Sequence, residues 1–230
     1  MTDLPRFRPV ADHAVLVELA TEAGDAASAQ VVALDHALQS AQIPGVTEWV
    51  PALVNLLVCF DPMQTDHKAV TEALYALFPL PPGADSAARV HVVPVCYDPA
   101  FAPDLDDVAQ ACGLTPEAVI AAHGQGDYRV RMYGFAPGYA YLSGVPSRIQ
   151  VPRKPQPLRD IPAGSILIAG AQCLATTLVM PTGWSIIGRT PARILRDDPH
   201  RPFLFDIGDR VVFEPVTRDA YEAALATGDA

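Results

Sequence analysis

Residues 134–142 read GFAPGYAYL, and residues 181–191 read PTGWSIIGRTP. From 134 to 216 the chain shows no long helical pattern and is rich in glycine, proline and β-forming residues. Turn signals interrupt it every few residues, at Pro137-Gly138, Pro162-Ala163-Gly164, Thr182-Gly183 and Ile207-Gly208-Asp209. Closely spaced short strands and turns are typical of a closed or nearly closed β-barrel, which we predict for this segment.

Upstream of this segment, strands and helices alternate. Apolar periodicity predicts five strands and four helices before residue 134, and a short helix at Thr217–Thr227. The strands are His13–Ala20, Val46–Val50, Leu53–Phe60, Arg89–Tyr97 and Tyr128–Tyr133, and the helices are Ala27–Ala41, Asp66–Phe78, Leu105–Cys112 and Thr115–His123.

The predicted fold class is α+β. The order β-α-β-β-α-β up to Tyr97 resembles a ferredoxin-like unit, and the turn-rich segment that follows predicts the barrel. We therefore place an N-terminal ferredoxin-like α+β domain at residues 1–86 and a C-terminal β-barrel domain at residues 87–230.

Composition excludes several classes of protein. The 16 Lys and Arg against 26 Asp and Glu give a net charge of −10, which repels the phosphates of nucleic acids. The longest apolar stretch, Val50–Phe60, is far shorter than the ~20 residues that span a bilayer, and the N-terminus has no apolar signal core. Four cysteines without a CxxC pair are expected to be free thiols. We expect a cytoplasmic protein without a membrane or nucleic-acid partner.

Standard catalytic motifs are absent from the sequence. No GxxxxGK[ST] loop occurs, Gly124-Gln125-Gly126 lacks the third glycine of a dinucleotide fingerprint, and Gly183–Gly188 misses the GxSxG pattern by one residue. The six histidines show no HExxH spacing, so no metal site is predicted. These absences favour a subunit that shares its active site with a partner.

Two arginines and one histidine are the candidate catalytic residues. Arg153 and Arg189 each offer a planar guanidinium that can pair with a carboxylate, a carboxyphosphate or a phosphate. Alternatively, each arginine bonds backbone carbonyls and holds a barrel turn. His123 lies at a helix C-terminus, where the helix dipole favours a protonated imidazole, and it can act as an acid, a base or a ligand.

Glycines beside aromatic residues define a candidate substrate site, because glycine admits a ligand to the backbone and aromatic rings form flat walls. We expect one cleft on the barrel that also contains both arginines. Its substrate-binding residues are Gly134, Phe135, Pro137, Gly138, Tyr139, Tyr141, Gly164, Ser165, Gln172, Gly183 and Trp184. Alternatively, the glycines only form turns, the aromatic residues belong to the core, and Gln172 caps a turn. Asp104, Asp106 and Asp107 are interpreted as the solvated first turn of a helix.

These motifs resemble the family of the 5-oxoprolinase B subunit and allophanate hydrolase subunit 1, also known from KipI. The family pattern reads approximately GFxPGFxYL, PRxxxPRxxVPAGS, AGxQ, PGGW and IGRTP. The corresponding stretches here are GFAPGYAYL at 134–142, Pro152-Arg153, IPAGS at 161–165, GAQ at 170–172, PTGW at 181–184 and GRTP at 188–191. The resemblance extends over nearly the whole chain.

The resemblance implies a fold, a complex and a reaction class. The fold is an N-terminal α+β domain followed by a C-terminal cyclophilin-like barrel. The implied partner is a homologue of the 5-oxoprolinase C subunit or allophanate hydrolase subunit 2, and in 5-oxoprolinase a third subunit joins them to open a lactam at the expense of ATP. ATP is therefore a cofactor of the complex, and biotin enters only if the partner system is a carboxylase. The isolated chain is expected to be inactive.

The chain departs from the family pattern at Leu158, at residues 173–177 and at Thr182. The first replaces an arginine, although Arg159 is adjacent, the second replaces a TGIYP-like run and the third a glycine. If these positions line the pocket, the substrate can differ from 5-oxoproline. Two other functions stay open, namely a KipI-like inhibitor of a sensor histidine kinase and a prolyl isomerase, the latter suggested only by the cyclophilin-like barrel.

Overall fold

The computed structural model describes residues 4–80 and 88–227. The chain forms two compact units, Met1–Ala87 and Ala88–Ala230, here called unit 1 and unit 2. The boundary predicted between residues 86 and 87 lies outside the described residues. Within the described ranges, no helix combines the length and the apolar character needed to cross a membrane.

Unit 1 is a four-stranded antiparallel sheet that packs against two helices. Its elements are β1 (Arg6–Val10), β2 (Ala14–Glu18), α1 (Asp25–Ala41), β3 (Val46–Pro51), β4 (Asn55–Phe60) and α2 (His67–Tyr75), and the strand order is β1-β2-β4-β3. Alternate side chains of the central strands are fully buried, as in the cross-strand pairs Val15–Val58 and Val17–Leu56. Each such burial contributes about 1.5–3 kcal/mol, so this core holds the unit together.

The ferredoxin-like assignment is wrong in one strand. The strand predicted at Arg89–Tyr97 is β5 (Val90–Cys96), and it lies in the barrel of unit 2. In unit 1, the edge strand that pairs with β2 is β1 instead, and periodicity does not predict β1. Val93 and Val95 of β5 are buried in the barrel core. Periodicity identifies a strand but does not identify the sheet that the strand joins.

Unit 2 is built around a closed seven-stranded barrel, which confirms the predicted fold class. The strands after β5 are β6 (Tyr128–Tyr133), β7 (Ala140–Ser143), β8 (Leu158–Ile161), β9 (Ser165–Ala169), β10 (Gln172–Ala175), β11 (Met180–Thr182), β12 (Ser185–Arg189) and β13 (Arg210–Val216). The barrel order is β10-β7-β6-β13-β5-β12-β9, while β8 and β11 form a separate two-stranded sheet. Because β13 runs parallel to β5 and the other pairs are antiparallel, the barrel is mixed.

The helices predicted in unit 2 are present as α3 (Leu105–Cys112), α4 (Pro116–Gly124) and α5 (Arg218–Thr227). The Thr115 hydroxyl caps α4 by accepting a hydrogen bond from the Ala118 N–H at 3.3 Å, and Pro116 occupies the first turn. Gly113 ends α3 in the left-handed conformation. Local chemistry therefore explains where these helices begin and end.

Strand β9 separates two cores and so positions the candidate site. Ile166 and Ile168 pack with the residues of the barrel interior, whereas Leu167 and Ala169 pack in a second core. Ile161 of β8 and Met180 of β11 belong to this second core, so it lies between the outer face of the barrel and the β8–β11 sheet. Residues of GFAPGYAYL and PTGW belong to this outer layer, because Tyr139 and Trp184 pack there.

Candidate active site

Four aromatic side chains form a continuous cluster in the outer layer of unit 2, and we call them the aromatic platform. Ring centroids are 5.4 Å apart for Phe135 and Tyr139, 5.4 Å for Tyr139 and Tyr141, and 5.9 Å for Tyr141 and Trp184. Tyr139 and Trp184 are buried, whereas Phe135 is 71% exposed. The platform thus combines a fixed inner part with an exposed edge that a planar ligand can contact.

The loop before β7 holds Phe135 in an unusual backbone conformation. Its φ is 70°, in a region that bulky residues rarely adopt. The Gly134 N–H donates to the Tyr139 carbonyl at 3.2 Å and so closes the loop. Gly138 has a φ of 67°, and a Cβ there would lie 2.8 Å from the side chain of Leu195. Backbone strain of this kind clusters at functional sites, and here it presents an aromatic ring to solvent.

Arg153 lies against the platform. Its Cζ is 5.5 Å from the ring centroid of Trp184, within the range of a cation–π contact. The residue is exposed, and no carboxylate among residues 4–80 and 88–227 forms an ion pair with it. Burial and the neighbouring Tyr141 raise the pKa of Tyr139, while Arg153 acts in the opposite direction. The Tyr139 hydroxyl therefore stays protonated at neutral pH and can donate a hydrogen bond.

Asp104 anchors the segment that carries Arg153. The Nζ of Lys154 lies 2.6 Å from Oδ1 of Asp104, and Oδ2 accepts a hydrogen bond from the Ile186 N–H at 2.7 Å. The Lys154 N–H donates to the Gly183 carbonyl at 2.6 Å. One carboxylate thus joins the segment after Arg153 to β12, so the guanidinium is held beside the platform.

Asp104 is the residue of this site that the sequence interpretation missed. Asp106 and Asp107 are exposed, as expected for the solvated first turn of a helix, but Asp104 is only 7% exposed. The interpretation is wrong for Asp104 because its partners come from distant parts of the chain. Its position next to the buried Leu105 is the one local signal that the start of α3 packs inward.

Two of the departures from the family pattern lie beside the platform. Leu158 of β8 and Thr182 of β11 are cross-strand partners. The Thr182 hydroxyl accepts a hydrogen bond from the Trp184 N–H at 3.1 Å and so helps to hold that ring. Gly183 lies between Thr182 and Trp184 and is not tightly enclosed. A Cβ there would lie 3.7 Å from the Lys154 carbonyl, which is an ordinary contact distance. The strands next to the platform therefore carry side chains that differ from the family pattern in size and charge.

His123 lies inside the barrel, apart from the platform. It is fully buried, its Nδ1 shares a hydrogen bond of 2.7 Å with the Tyr97 hydroxyl, and its Nε2 lies 3.6 Å from the Sγ of Cys173. The imidazole stacks on Phe213 with a centroid separation of 4.6 Å. Burial lowers the pKa of His123 to about 3, which outweighs the helix dipole. The structure places His123 as a neutral residue of the core.

Arg189, Gly164 and Ser165 lie together at the far end of β12. Trp184 precedes this strand and Arg189 ends it, so their Cα atoms are about 15 Å apart along the strand. Ser165 is fully buried, and its hydroxyl donates to a backbone carbonyl at 2.9 Å. These positions place Arg153 and Arg189 in separate groups, unlike the single cleft that the sequence predicts.

Gln172 and Pro137 lie at the margin of the platform. Gln172 is half-buried and begins β10, where it pairs with Ser143 of β7 and Ala169 of β9. Since Ala169 packs in the outer core, Gln172 is on the same face of the sheet as the platform. Pro137 is exposed in the loop that carries Phe135. Both residues border the site, and its centre is formed by the four rings and Arg153.

A cavity of about 160 Å³ lies in unit 1, which contains none of the candidate residues. It is lined by Leu38, Gln39, Gln42, Ile43, Val46 and Trp49.

The four cysteines are free thiols, as predicted. The candidate site therefore rests on the chemistry of the platform and Arg153.

Comparison with known proteins matches this chain to a carboxyltransferase family. The family described as carboxyltransferase domain, subdomain C and D, matches residues 5–205. The B subunit of 5-oxoprolinase from Bacillus subtilis (strain 168) is 33% identical over 237 residues, which cover 97% of this chain and 98% of that protein.

Solved structures resemble the fold. The crystal structure of TTHA0988 has 34% sequence identity and a TM-score of 0.79 over 89% of this chain, which spans 40% of that longer chain. The urea amidolyase of Kluyveromyces lactis has 18% sequence identity and a TM-score of 0.73. The match covers 100% of this chain and 16% of the urea amidolyase chain, and it shows a likeness of fold alone. The chain belongs to the carboxyltransferase-domain family, subdomain C and D, that includes the B subunit of 5-oxoprolinase.

Proposed function

We propose that this chain is the B-type subunit of an ATP-dependent amide or lactam hydrolase complex, of the 5-oxoprolinase or allophanate hydrolase type. The observation that carries the proposal is the full-length similarity to the B subunit of 5-oxoprolinase. The proposed partner is a homologue of the 5-oxoprolinase C subunit or allophanate hydrolase subunit 2, joined by a third catalytic subunit in a 5-oxoprolinase-type system. ATP is used by the complex, and biotin takes part only where the partner system is a carboxylase.

The aromatic platform and Arg153 support a planar, partly anionic substrate. An amide or lactam is planar and packs on aromatic faces, as the exposed Phe135 allows, while the buried Tyr139 and Trp184 support that edge from within. When the carbonyl is activated, negative charge develops on its oxygen, and a guanidinium fixed in advance stabilises that charge. Arg153 is suited to this role because no described carboxylate neutralises it. The partner protein completes the site over the exposed edge.

The substrate of this chain is proposed to differ from 5-oxoproline. Leu158 and Thr182 replace the arginine and the glycine of the family pattern and lie on paired strands next to Trp184. An arginine at position 158 would offer a carboxylate partner on this face of β8, whereas the adjacent Arg159 points to the opposite face of the strand. A linear or less anionic amide therefore fits the altered edge better.

Reconstitution with the partner proteins tests the function. The purified chain is mixed with homologues of the C-type subunit and of the third subunit, ATP, and either 5-oxoproline or a urea-like amide, and ADP release is measured. We expect turnover that requires this chain and that falls at least about tenfold in R153Q, since a charge-assisted contact is lost. R193Q is the matched control, because Arg193 is an exposed arginine that pairs with Asp197.

Equal ADP release with and without this chain would contradict the proposal. Binding to the dimerisation domain of a sensor kinase, with no partner-dependent turnover, would favour the KipI-like inhibitor instead.

A further inference from the structure

Arg189 and Arg218 hold their guanidinium groups against the same aromatic ring. The Cζ of Arg189 is 5.1 Å from the centroid of Phe101, and the Cζ of Arg218 is 5.6 Å from it. Arg189 ends β12, Arg218 begins α5, and Phe101 lies between β5 and α3. Three separate elements therefore bring two cations to one place in unit 2.

The two arginines differ in how their charges are compensated. The Nε of Arg218 lies 2.8 Å from Oε1 of Glu222, and its Nη1 lies 3.9 Å from Oδ1 of Asp98. Arg189 forms no ion pair with any carboxylate in the described ranges, and its Nε–H is buried without an acceptor. A charged N–H that is buried without a hydrogen bond is costly. An unpartnered donor of this kind calls for an explanation, and a nearby anion that offsets the charge of Arg189 is one.

The surroundings hold Arg189 in place without neutralising it. A Cβ at Gly164 would lie 3.6 Å from Cγ of Arg189, an ordinary contact distance, so the turn before β9 lies beside the aliphatic stem of Arg189. The Thr190 N–H donates to the Gly164 carbonyl at 2.8 Å and fixes that turn. Phe101 in turn packs on Tyr221 of α5 at a centroid distance of 4.6 Å. A guanidinium held this way loses little conformational freedom on binding a ligand.

We propose that Arg189 and Arg218 form a binding site for a small oxyanion, either a carboxylate or a phosphoryl group. A guanidinium pairs with two oxygens of either group through parallel N–H bonds. Arg189 supplies the N–H groups of its terminal nitrogens, which are not buried as its Nε–H is, and Arg218 supplies the N–H groups that Glu222 does not occupy. The N-terminus of the ten-residue α5 adds partial positive charge. The site goes beyond the proposed function, because none of its residues belongs to the platform.

A purely structural role for Arg189 makes a different prediction. If the cation–π contact with Phe101 is all that Arg189 provides, its guanidinium resonances respond to ionic strength alone. If the residue binds an oxyanion, they respond saturably to that anion at constant ionic strength.

Nuclear magnetic resonance of the full-length, ¹⁵N-labelled chain tests the site. The Nε–H resonance of Arg189 is assigned from its loss in R189K and followed during titration with inorganic phosphate or, separately, sodium acetate, against a sodium chloride blank. We expect a saturable shift, and the anion that saturates at the lower concentration identifies the phosphoryl or the carboxylate class. R218Q should weaken binding about tenfold, whereas R193Q should leave it unchanged.

The wild-type titration needs no variant to fold, so it decides the proposal directly. A linear response equal to that of chloride in both arms, or equal weakening in R218Q and R193Q, would overturn the site. R153Q, at an exposed residue of the platform site, should lower turnover and leave the anion titration unchanged, so a failure of the proposed function is distinguishable from a failure of this site.

Discussion

The guanidinium of Arg153 lies 5.5 Å from the ring centroid of Trp184, and no carboxylate of the described residues competes for it. A cation against the face of an indole is attracted by the ring and is less hydrated on that side. Arg153 can therefore add an anionic partner without giving up an ion pair. The relationship makes Trp184 a reporter of what Arg153 binds.

The first prediction uses the fluorescence of Trp184. The chain has two tryptophans, so W49F leaves Trp184 as the only indole. A complex made with W49F/W184F gives the tryptophan emission of the partner proteins, which is subtracted. In the remaining signal, we expect the substrate amide to change the emission of Trp184, because its binding to Arg153 alters the cation beside the ring. The change should be lost in the W49F/R153Q double variant and kept in W49F/R193Q. An identical change in both double variants would show that the signal does not come from Arg153.

The second prediction concerns the buried carboxylate of Asp104. D104A removes the partner of Lys154 and the acceptor of the Ile186 N–H, and we expect the free energy of unfolding to fall by about 3 kcal/mol. D104N should cost less, because its amide oxygen can still accept from Ile186. Chemical denaturation measures both variants.

D107A is the matched control for D104A, since Asp107 is an exposed aspartate in the same first turn. It should change stability by no more than about 0.5 kcal/mol. Equal effects of D104A and D107A would show that the contacts of Asp104 contribute nothing to folding.

The third prediction is a pH dependence of stability due to His123. Its pKa is lowered to about 3 in the folded chain and lies near 6.5 in an unfolded chain. The contribution of neutral His123 is therefore fully present above about pH 6.5 and is lost as the pH falls toward 3, because the unfolded chain takes up the proton first. The slope approaches about 1.4 kcal/mol per pH unit for this one group.

H123Q should remove that part of the slope while lowering stability at neutral pH, because the contacts with Tyr97 and Phe213 change. H200Q, at an exposed histidine, should keep the slope. Urea unfolding at several pH values between 4 and 8 makes the comparison. Parallel curves for H123Q and the unsubstituted chain would contradict the assignment of a neutral buried imidazole.

The fourth prediction separates strain from binding at Phe135. F135N should raise the free energy of unfolding by about 1 kcal/mol, because asparagine tolerates the left-handed conformation and the exposed ring contributes little burial. Turnover of the complex should fall, since the exposed edge of the platform is lost. F135L, which keeps the strain and loses the ring, should reduce turnover without the gain in stability. A stability loss in F135N would mean that packing of the ring outweighs the strain.

The fifth prediction tests close approach of a ligand at Gly183. G183A adds a methyl group in ordinary contact distance of its neighbours, so stability should change by less than about 0.5 kcal/mol. If the substrate lies against this backbone, turnover should fall about tenfold or more. G24A is the control, because a Cβ at Gly24 in unit 1 meets no atom within 4 Å. Unchanged turnover in G183A would place the substrate elsewhere on the platform.

The sequence by itself determined the family, the fold class and the position of most elements. Thr115-Pro116 starts α4 and Gly113 ends α3 through bonds between residues a few positions apart, and such local chemistry is readable in one dimension. The run from GFAPGYAYL to GRTP identified the family because its glycines, prolines and aromatic residues occur in a specific order.

Tertiary structure alone decided which of the candidate residues meet. Asp104 reaches the Ile186 N–H across 82 positions of sequence, and burial in the barrel makes His123 neutral despite its place at a helix C-terminus. Arg153 contacts Trp184 before β12, and Arg189 lies at the other end of that strand, so the strand separates the two arginines. The sequence motifs do not reveal this separation. The physical reason is common to all three: burial, pairing and separation depend on which distant segments pack together, and periodicity reports only the face that an element turns inward.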